Sequence, residues 1–245
     1  MARVARSTVT ARVLDVLGAF GTDAPVLTLT EISRRTGLPL TTTHRLVGEL
    51  AAWGALERAD SGEYRIGLRL WEVGALAPRG MGLRERAMPY LEDLHEVTRH
   101  NVQLAVLDGA EVVYVERLSA HDAVSIRSGP GSRLPATATG VGLALLAHAE
   151  PGLVERVLAA PVRRFTERTV TDPAALRHLL GEVRRTGVAI SVQQIELVSQ
   201  SVGTPVRDAA GVVAALSIVV PVEANPHAYV PAVLAAARGI SRALR

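Results

Sequence analysis

The segment from residue 28 to residue 54 constrains the fold more than any other part of the chain. Thr28 and Glu31 form a capping box, in which a hydroxyl and a carboxylate three residues apart satisfy the first backbone N–H groups of a helix. This helix runs to about residue 35, and Gly37 and Pro39 then supply a left-handed helix end and a helix start. The pattern predicts two short helices joined by a tight glycine turn, with the second helix over residues 40–53.

The residues on either side extend this pattern. Apolar residues recur at helical spacing over residues 8–20, which predicts a preceding helix. Residues 55–58 and 63–66 read as two strands, and residues 60–62 join them as a hairpin turn. Three helices with a glycine turn before the third, followed by a hairpin, are typical of a winged helix-turn-helix, a fold that binds DNA.

The first turn of the helix over residues 40–53 carries threonines, a histidine and an arginine. In a helix-turn-helix this turn enters the major groove, where hydroxyl groups bind phosphates or base edges and an arginine reaches guanine. Arginines on the preceding helix, the hairpin and the N-terminal arm would bind the DNA backbone or the minor groove. The alternative is that the threonines only cap the helix and the arginines are solvated. The predicted DNA contacts are Arg6, Thr28, Arg34, Arg35, Thr41, Thr42, Thr43, His44, Arg45, Arg58 and Arg65.

Net charge supports this interpretation only weakly. The formal net charge of the chain is +3. Residues 1–77 hold nine arginines against eight acidic residues, which is a net charge of +1. A DNA-binding module with so little net charge must place its arginines on one face.

Several kinds of active site are excluded by residue types that the chain lacks. It has no cysteine, which excludes disulfides, thiolate metal sites and cysteine nucleophiles. All 27 basic residues are arginine, so there is no phosphate-loop lysine and no Schiff-base lysine. The seven histidines show no metal-ligand spacing, and no Gly-x-Ser-x-Gly elbow occurs. We therefore expect a protein that is not an enzyme and that has no metal and no cofactor.

The rest of the chain alternates helices and strands. Helices are predicted over residues 67–77, 83–99, 140–148, 152–160, 172–186 and 229–244. Strands are predicted over residues 101–107, 111–117, 123–128, 188–192, 201–207 and 212–220, with residues 129–135 as a Gly/Pro loop. Long helices beside mainly antiparallel strands indicate an α+β sheet domain. We predict a DNA-binding domain over residues 1–67, a linker helix over residues 68–82 and a second domain over residues 83–245.

Three segments resemble one family of bacterial regulators. Residues 26–67 resemble the DNA-binding half of the IclR family. LPATATGVGLALLAH, residues 134–148, and SVGTPVRDAAGVVAALSIVVP, residues 201–221, resemble the two signatures of that family's effector domain. The resemblance implies a winged helix-turn-helix, a linker helix and a GAF-like α/β effector domain with a central, mainly antiparallel sheet. It also implies homodimers, often paired into tetramers, on a pseudo-palindromic double-stranded DNA operator.

The same resemblance implies a pocket for a small-molecule effector, an organic acid or a related metabolite. The matching positions are Leu134, Thr139, Gly140, Val141, Ser191, Ser199, Ser201, Ser217 and Val219. Physically, backbone N–H groups at the start of a helix at Gly140 suit a carboxylate, and the serines offer hydroxyl groups. The alternative for Ser201 and Ser217 is that they only satisfy local backbone groups.

Some positions depart from the family pattern. Ser191 and the residues that follow it replace an acidic residue common in the family, and Val198 replaces a glycine. The second signature ends in Ser217-Ile-Val-Val-Pro221, without a serine and glycine before the proline. These changes make the pocket less polar and predict a larger or more apolar effector than small keto acids.

We therefore expect a ligand-responsive transcription regulator that acts as a repressor. No secretory signal is visible, and the longest apolar run, residues 211–222, is shorter than a bilayer span, so we expect a cytoplasmic protein with no membrane contact. Two other functions stay open. One is a metabolite-binding protein or enzyme whose N-terminal domain mediates protein contacts, and the other is a constitutive DNA-binding protein whose second domain only oligomerises.

Overall fold

The computed structural model describes residues 8–77, 80–121, 123–126 and 128–245. The chain divides into two compact units, Met1–Pro78 and Arg79–Arg245, called here the first and the second unit. The predicted contact Arg6 and two residues of the predicted linker, Pro78 and Arg79, lie outside the described residues. The three-part division at residues 67 and 82 stays a prediction.

The first unit is a winged helix-turn-helix, as predicted. Its elements are α1 Val9–Gly18, β1 Val26–Leu27, α2 Leu29–Thr36, α3 Leu40–Trp53, β2 Leu56–Arg58, β3 Tyr64–Ile66 and α4 Leu68–Ala75. The strands form an antiparallel sheet in the order β1-β3-β2, in which β1 was not predicted. The core is aliphatic, with Val16, Ile32, Leu46 and Val47 completely buried.

The capping box and the glycine turn set the angle between α2 and α3. The Glu31 N–H donates to Thr28 Oγ1 at 3.3 Å, and the Thr28 N–H donates to Glu31 Oε2 at 2.8 Å. Gly37 has φ +68°, a left-handed conformation that a side chain would strain. Both features are where the sequence predicted them.

The second unit is an α/β domain built on one six-stranded sheet. Its elements are α5 Met81–Thr98, β4 Asn101–Asp108, β5 Glu111–Leu118, β6 Arg133–Pro135, α6 Gly140–Leu146, α7 Pro151–Ala159, α8 Pro173–Thr186, β7 Ala189–Val192, β8 Ser199–Arg207, β9 Val212–Pro221, a 3₁₀ turn Pro226–Tyr229 and α9 Val230–Ala243. The strand order is β6-β5-β4-β9-β8-β7, and every neighbouring pair is antiparallel. This confirms the predicted α+β class.

Helices cover both faces of this sheet. Leu104 and Leu216 pack with α5 and α9 on one face, and their chain neighbours Ala105 and Ala215 pack with α6, α7 and α8 on the other. Side chains alternate between the faces of a strand. Gln103 of β4, Ser199 and Ser201 of β8, and Ser217 of β9 therefore lie on the α6 side, where they interrupt the apolar layer.

The prediction of a strand over residues 123–128 is wrong for its described residues, which form no strand. Side chains of the sheet hold their backbone instead: Asn101 Nδ2 donates to the Val124 carbonyl at 2.8 Å, and Arg117 Nη1 donates to the Ser128 carbonyl at 2.7 Å. The strand β6 lies in the predicted loop and pairs with β5, because the turn at Gly131 brings the chain back along that edge.

None of the described helices combines the length and the apolar content that a membrane span requires.

Candidate nucleic-acid interface and ligand pocket

The exposed side of the first turns of α3 is the candidate DNA-contacting surface. Thr41, His44 and Arg45 are exposed and Thr42 is partly exposed, whereas Leu46, Val47 and Leu50 face the core. We call Thr41, Thr42, His44 and Arg45 the recognition face. Helical periodicity turns these four side chains away from the unit's own core and exposes them to solvent.

Thr43 does not belong to this surface, so its prediction as a DNA contact is wrong. Its side chain is 0 % exposed, and its hydroxyl donates to the Pro39 carbonyl at 3.1 Å. Thr43 lies three and four residues before Leu46 and Val47, which places it on the buried face of the same helix. That periodicity was available in the sequence.

Thr28 is used for helix capping. Its hydroxyl donates to Glu31 Oε2 at 2.7 Å and accepts the Glu31 N–H. The backbone N–H of Thr28 also donates to this carboxylate. This bond, followed by the bond from the Thr28 hydroxyl, holds the pKa of the Glu31 carboxyl below its ordinary value. In this geometry Thr28 orients α2, and its hydroxyl is not free for DNA.

The predicted arginines fall into two groups. Three are held by carboxylates of the same unit: Arg45 to Glu49 at 2.5 Å, Arg35 to Asp23 at 3.3 Å, and Arg65 to Glu57 at 2.9 Å. Arg34 and Arg58 are exposed, and no carboxylate oxygen among the described residues lies within 4 Å of their guanidinium groups. Arg34 and Arg58 are therefore the cations most available to phosphates, since the others must exchange a partner.

The second unit holds a pocket between α6 and the sheet. All nine predicted effector positions line it: Leu134, Thr139, Gly140, Val141, Ser191, Ser199, Ser201, Ser217 and Val219. The structure thus brings together residues from β6, α6, β7, β8 and β9. Their contact with an effector stays a prediction.

Gly203 lets α6 approach the sheet closely, and Gly142 lets it approach the segment directly after β6. A Cβ on Gly203 would lie 2.4 Å from the Gly140 carbonyl group, and a Cβ on Gly142 would lie 2.4 Å from Ala136. The start of α6 therefore rests directly on the backbone of β8. Only glycine at these positions permits this spacing.

The backbone N–H of Gly140, which the sequence placed against a carboxylate, is already used. It donates to Ser201 Oγ at 3.1 Å, and the Gly142 N–H donates to Thr139 Oγ1 at 3.1 Å. Ser201 thus satisfies a local backbone group, as the alternative stated. Ser217 instead donates to Gln103 Oε1 at 3.3 Å, within a buried network.

Other lining residues were not found by sequence reasoning. They are Gln103, Tyr114, Ile126, Ser128, Ala138, Gln194, Ile195, Glu196 and Gln200. Burial raises the pKa of the Tyr114 hydroxyl, which is therefore a neutral phenol beside the hydroxyls of Ser128 and Thr139. A polar residue at an inward position of a buried strand, such as Gln103, was the available signal.

Among the described residues, no group of three or more histidine, aspartate or glutamate side chains is arranged to hold a metal ion. The pocket is lined by hydroxyl, amide and aliphatic groups together with Glu196. These groups suit the binding of a small organic molecule by hydrogen bonds and apolar contact.

Family profiles match both units. The "IclR helix-turn-helix domain" matches residues 9–60, and "Bacterial transcriptional regulator IclR C-terminal" matches residues 76–244. The chain is 35 % identical over 237 residues to the HTH-type transcriptional regulator BhcR of Paracoccus denitrificans, covering 94 % of this chain and 85 % of that protein. It is 31 % identical over 193 residues to the HTH-type transcriptional repressor AllR of Escherichia coli, covering 78 % of this chain and 71 % of that protein.

A solved structure is similar over almost the whole chain. It is an IclR homologue from Microbacterium hydrocarbonoxydans complexed with 4-hydroxybenzoate, 42 % identical, with a TM-score of 0.91 over 97 % of this chain and 99 % of that one. These matches, together with the recognition face and the pocket, identify the fold and the class of protein. The chain belongs to the IclR family of helix-turn-helix, DNA-binding transcriptional regulators.

Proposed function

We propose that this regulator is a repressor that binds a pseudo-palindromic operator and is controlled by a small aromatic carboxylic acid. The observation that carries the DNA half is the recognition face: four polar side chains of one helix turn outward together, and in the same unit Arg34 and Arg58 form no ion pair with a described carboxylate. The similarity to AllR, which is named a repressor, supports the sign of regulation.

The effector class rests on the pocket and on one relative. The relative with 42 % identity was crystallised with 4-hydroxybenzoate. Here the pocket has aliphatic walls from Leu134, Val141 and Val219, and hydroxyl and amide groups elsewhere. Aliphatic walls suit the faces of an aromatic ring, and hydrogen-bonding groups suit its polar substituents. The departures from the family pattern, which predict an effector more apolar than a keto acid, agree with an aromatic acid.

An exposed apolar helix supports assembly into a homodimer or tetramer. In α4 no residue is buried; Leu68, Trp71 and Val73 are 62 %, 59 % and 49 % exposed, and Leu76 directly after the helix is 80 % exposed. Apolar side chains exposed at this density on one short helix are typical of a protein interface. A dimer would place two recognition faces on two half-sites, which is the symmetry that a pseudo-palindromic operator requires.

Control by the effector requires that it bind the DNA-bound and the free protein with different affinities. If the acid binds the free form more tightly, it lowers operator affinity, and the operator lowers affinity for the acid by the same factor. Couplings of this kind are typically about 5–150-fold. This reciprocity provides a test within one set of binding measurements.

The experiment titrates the full chain against labelled DNA fragments from either side of its own gene, by fluorescence anisotropy at two salt concentrations. We expect tight, steeply salt-dependent binding to one fragment and weaker binding when 4-hydroxybenzoate is added. Arg168→Ala, an exposed arginine on a loop of the second unit, serves as the control and should bind as the wild type does. Equal binding to all fragments would contradict operator recognition. Tighter binding with the acid would contradict repression relieved by it.

A further inference from the structure

A buried polar cluster lies on the sheet side of the pocket. It consists of Gln103 on β4, Tyr114 on β5, Ser217 on β9 and Ser128 from the segment after β5, and we call it the polar floor. Each of the four residues is at most 5 % exposed, and each lines the pocket. Four polar side chains in a layer that otherwise packs alanine, valine and leucine need a physical reason, since an unmatched polar group is costly to bury.

Hydrogen bonds within the polar floor account for only part of its capacity. Gln103 Nε2 donates to Ser128 Oγ at 2.5 Å, and Ser217 Oγ donates to Gln103 Oε1 at 3.3 Å. A side-chain amide carries two N–H donors and an oxygen with two lone pairs, and a phenol both donates and accepts. Among the described residues, these bonds leave one N–H of Gln103 and one lone pair of its oxygen unused, and the Tyr114 hydroxyl lies beside the hydroxyls of Ser128 and Thr139.

The polar floor also carries no formal charge. Burial raises the pKa of the Tyr114 hydroxyl, which keeps the phenol protonated, and the other three side chains do not ionise. A buried carboxylate needs a charged partner or several donors, whereas a neutral hydroxyl needs one donor and one acceptor. The polar floor matches the neutral hydroxyl.

We propose that the polar floor reads a hydroxyl group on the effector, so that the effector class narrows from aromatic acids to hydroxylated aromatic acids. This inference rests on the proposed function, which supplies the aromatic acid. Tyr114 and Gln103 are the specificity-determining residues, because their donor and acceptor atoms face the same pocket from neighbouring strands. An analogue without the hydroxyl leaves these buried groups unmatched and binds more weakly.

A purely structural role of the polar floor is compatible with the same hydrogen bonds, but it predicts a different result in ligand-binding experiments. The bonds of Asn101 to Val124 and of Arg117 to Ser128 hold the segment after β5 against the sheet, and the Gln103–Ser128 bond adds to them. If anchoring that segment is the whole role of the polar floor, removing one of its hydroxyls weakens all effectors equally. The test therefore compares two ligands in each variant.

The experiment measures binding of 4-hydroxybenzoate and of benzoate to the full chain by isothermal titration calorimetry. For the wild type we expect 4-hydroxybenzoate to bind at least about tenfold more tightly. Tyr114→Phe should reduce this ratio to about threefold or less, with benzoate affinity kept. Ser217→Ala, which removes only a hydroxyl, should move the ratio in the same direction and provides a second variant if Tyr114→Phe folds poorly.

The control is Tyr90→Phe, which removes the hydroxyl of a tyrosine that packs against Gly239 of α9, away from the pocket. It should leave the ratio unchanged. Recognition of the effector's hydroxyl is overturned if the wild type binds both acids equally, or if Tyr114→Phe loses the same affinity for each. The proposed function stands in either case. If the wild type binds neither acid, the proposed effector class is wrong, and the proposal that the polar floor recognises a hydroxyl is wrong with it.

Discussion

Four of five consecutive positions on α3 supply the whole recognition face. The pocket, in contrast, takes its side chains from α6, from all six strands of the second unit's sheet and from loops between them. The recognition face is exposed, and several arginines around it are held by neighbouring carboxylates. The pocket is buried, and its polar side chains bind one another or the backbone. The two sites therefore depend on different physics: exchange of exposed ion pairs in one, and satisfaction of buried hydrogen bonds in the other.

The two sites should therefore tolerate different substitutions. Exposed ion pairs contribute little to stability, so the recognition face can change without loss of the fold. The pocket is part of the core of the second unit, so a change there alters both binding and stability. Substitutions chosen at matched positions test this contrast directly.

The largest effect is expected from Gly203→Val. A Cβ at this position lies 2.4 Å from the Gly140 carbonyl group, so a side chain must push α6 away from β8. We expect a loss of about 1–3 kcal/mol in the free energy of unfolding, with loss of 4-hydroxybenzoate binding. Calorimetric unfolding and a ligand titration measure the two effects.

Gly181→Ala is the matched control for that substitution. Gly181 lies on the exposed side of α8, and a Cβ there meets no atom within 4 Å. Because alanine favours a helix more than glycine does, we expect a gain of about 0.5–1 kcal/mol and unchanged ligand binding. If Gly203→Val were as harmless as this control, close packing of α6 on the sheet would not define the pocket.

The next largest effect, a loss of operator affinity, is expected at the recognition face. Arg45→Ala should weaken binding to the operator by about 1–3 kcal/mol if this side chain reads a base, with a smaller loss on unrelated DNA. Its ion pair with Glu49 must open first, so Glu49→Gln should keep operator affinity or raise it. Anisotropy titrations on both DNAs measure this, and equal losses on the two would assign Arg45 to the phosphate backbone.

A smaller effect is expected from Arg58→Ala on β2. No described carboxylate oxygen lies within 4 Å of this guanidinium, which instead lies over the Tyr64 ring at 5.7 Å, so it can neutralise a phosphate without breaking an ion pair. We expect weaker binding to all sequences and a salt dependence whose slope falls by about 1. Arg168→Ala should leave the slope unchanged. A slope that also stays at the wild-type value in Arg58→Ala would remove the wing from the DNA contacts.

Local patterns predicted most of the first unit. The capping box, the glycine turn and the hairpin each depend on residues within a few positions, and each formed where it was predicted. Thr43 was predicted among the DNA contacts because of its hydroxyl, but its spacing from Leu46 and Val47 places it on the buried face of α3. The two-residue strand β1 was missed because its partner β3 lies far along the chain.

The pocket could be predicted only in part, because its lining depends on contacts between residues far apart in the sequence. The resemblance marked positions on β6, α6, β7, β8 and β9, and the structure brings them together. Gln103 and Tyr114 were missed because their position depends on β4 lying between β5 and β9, a strand order that no local pattern encodes. The segment after β5 was misjudged as a strand because its anchors, Asn101 and Arg117, belong to other parts of the chain.

The smallest effect is a pH dependence that separates the two units. His148 follows α6 in the second unit, and its pKa is held below the ordinary value by burial and by the charges of Arg207 and Arg184. The unfolded chain therefore takes up a proton at a higher pH than the folded one. As pH falls below about 6.5, protonation stabilises the unfolded chain more than the folded one, and the free energy of unfolding decreases. His148→Gln should remove this part of the decrease in calorimetric scans.

The first unit should respond at lower pH. The pKa of Glu31 is lowered in the folded chain, so the stability from its cap is complete above about 4.5 and is lost as pH falls through the folded pKa. Glu31→Ala should therefore reduce stability at pH 7 and flatten the profile only in the acid range, whereas His148→Gln flattens it below pH 6.5. If both substitutions changed the same part of the profile, the acid response would belong to the chain as a whole. The contrast between the helix cap of the first unit and the half-buried imidazole of the second would then fail.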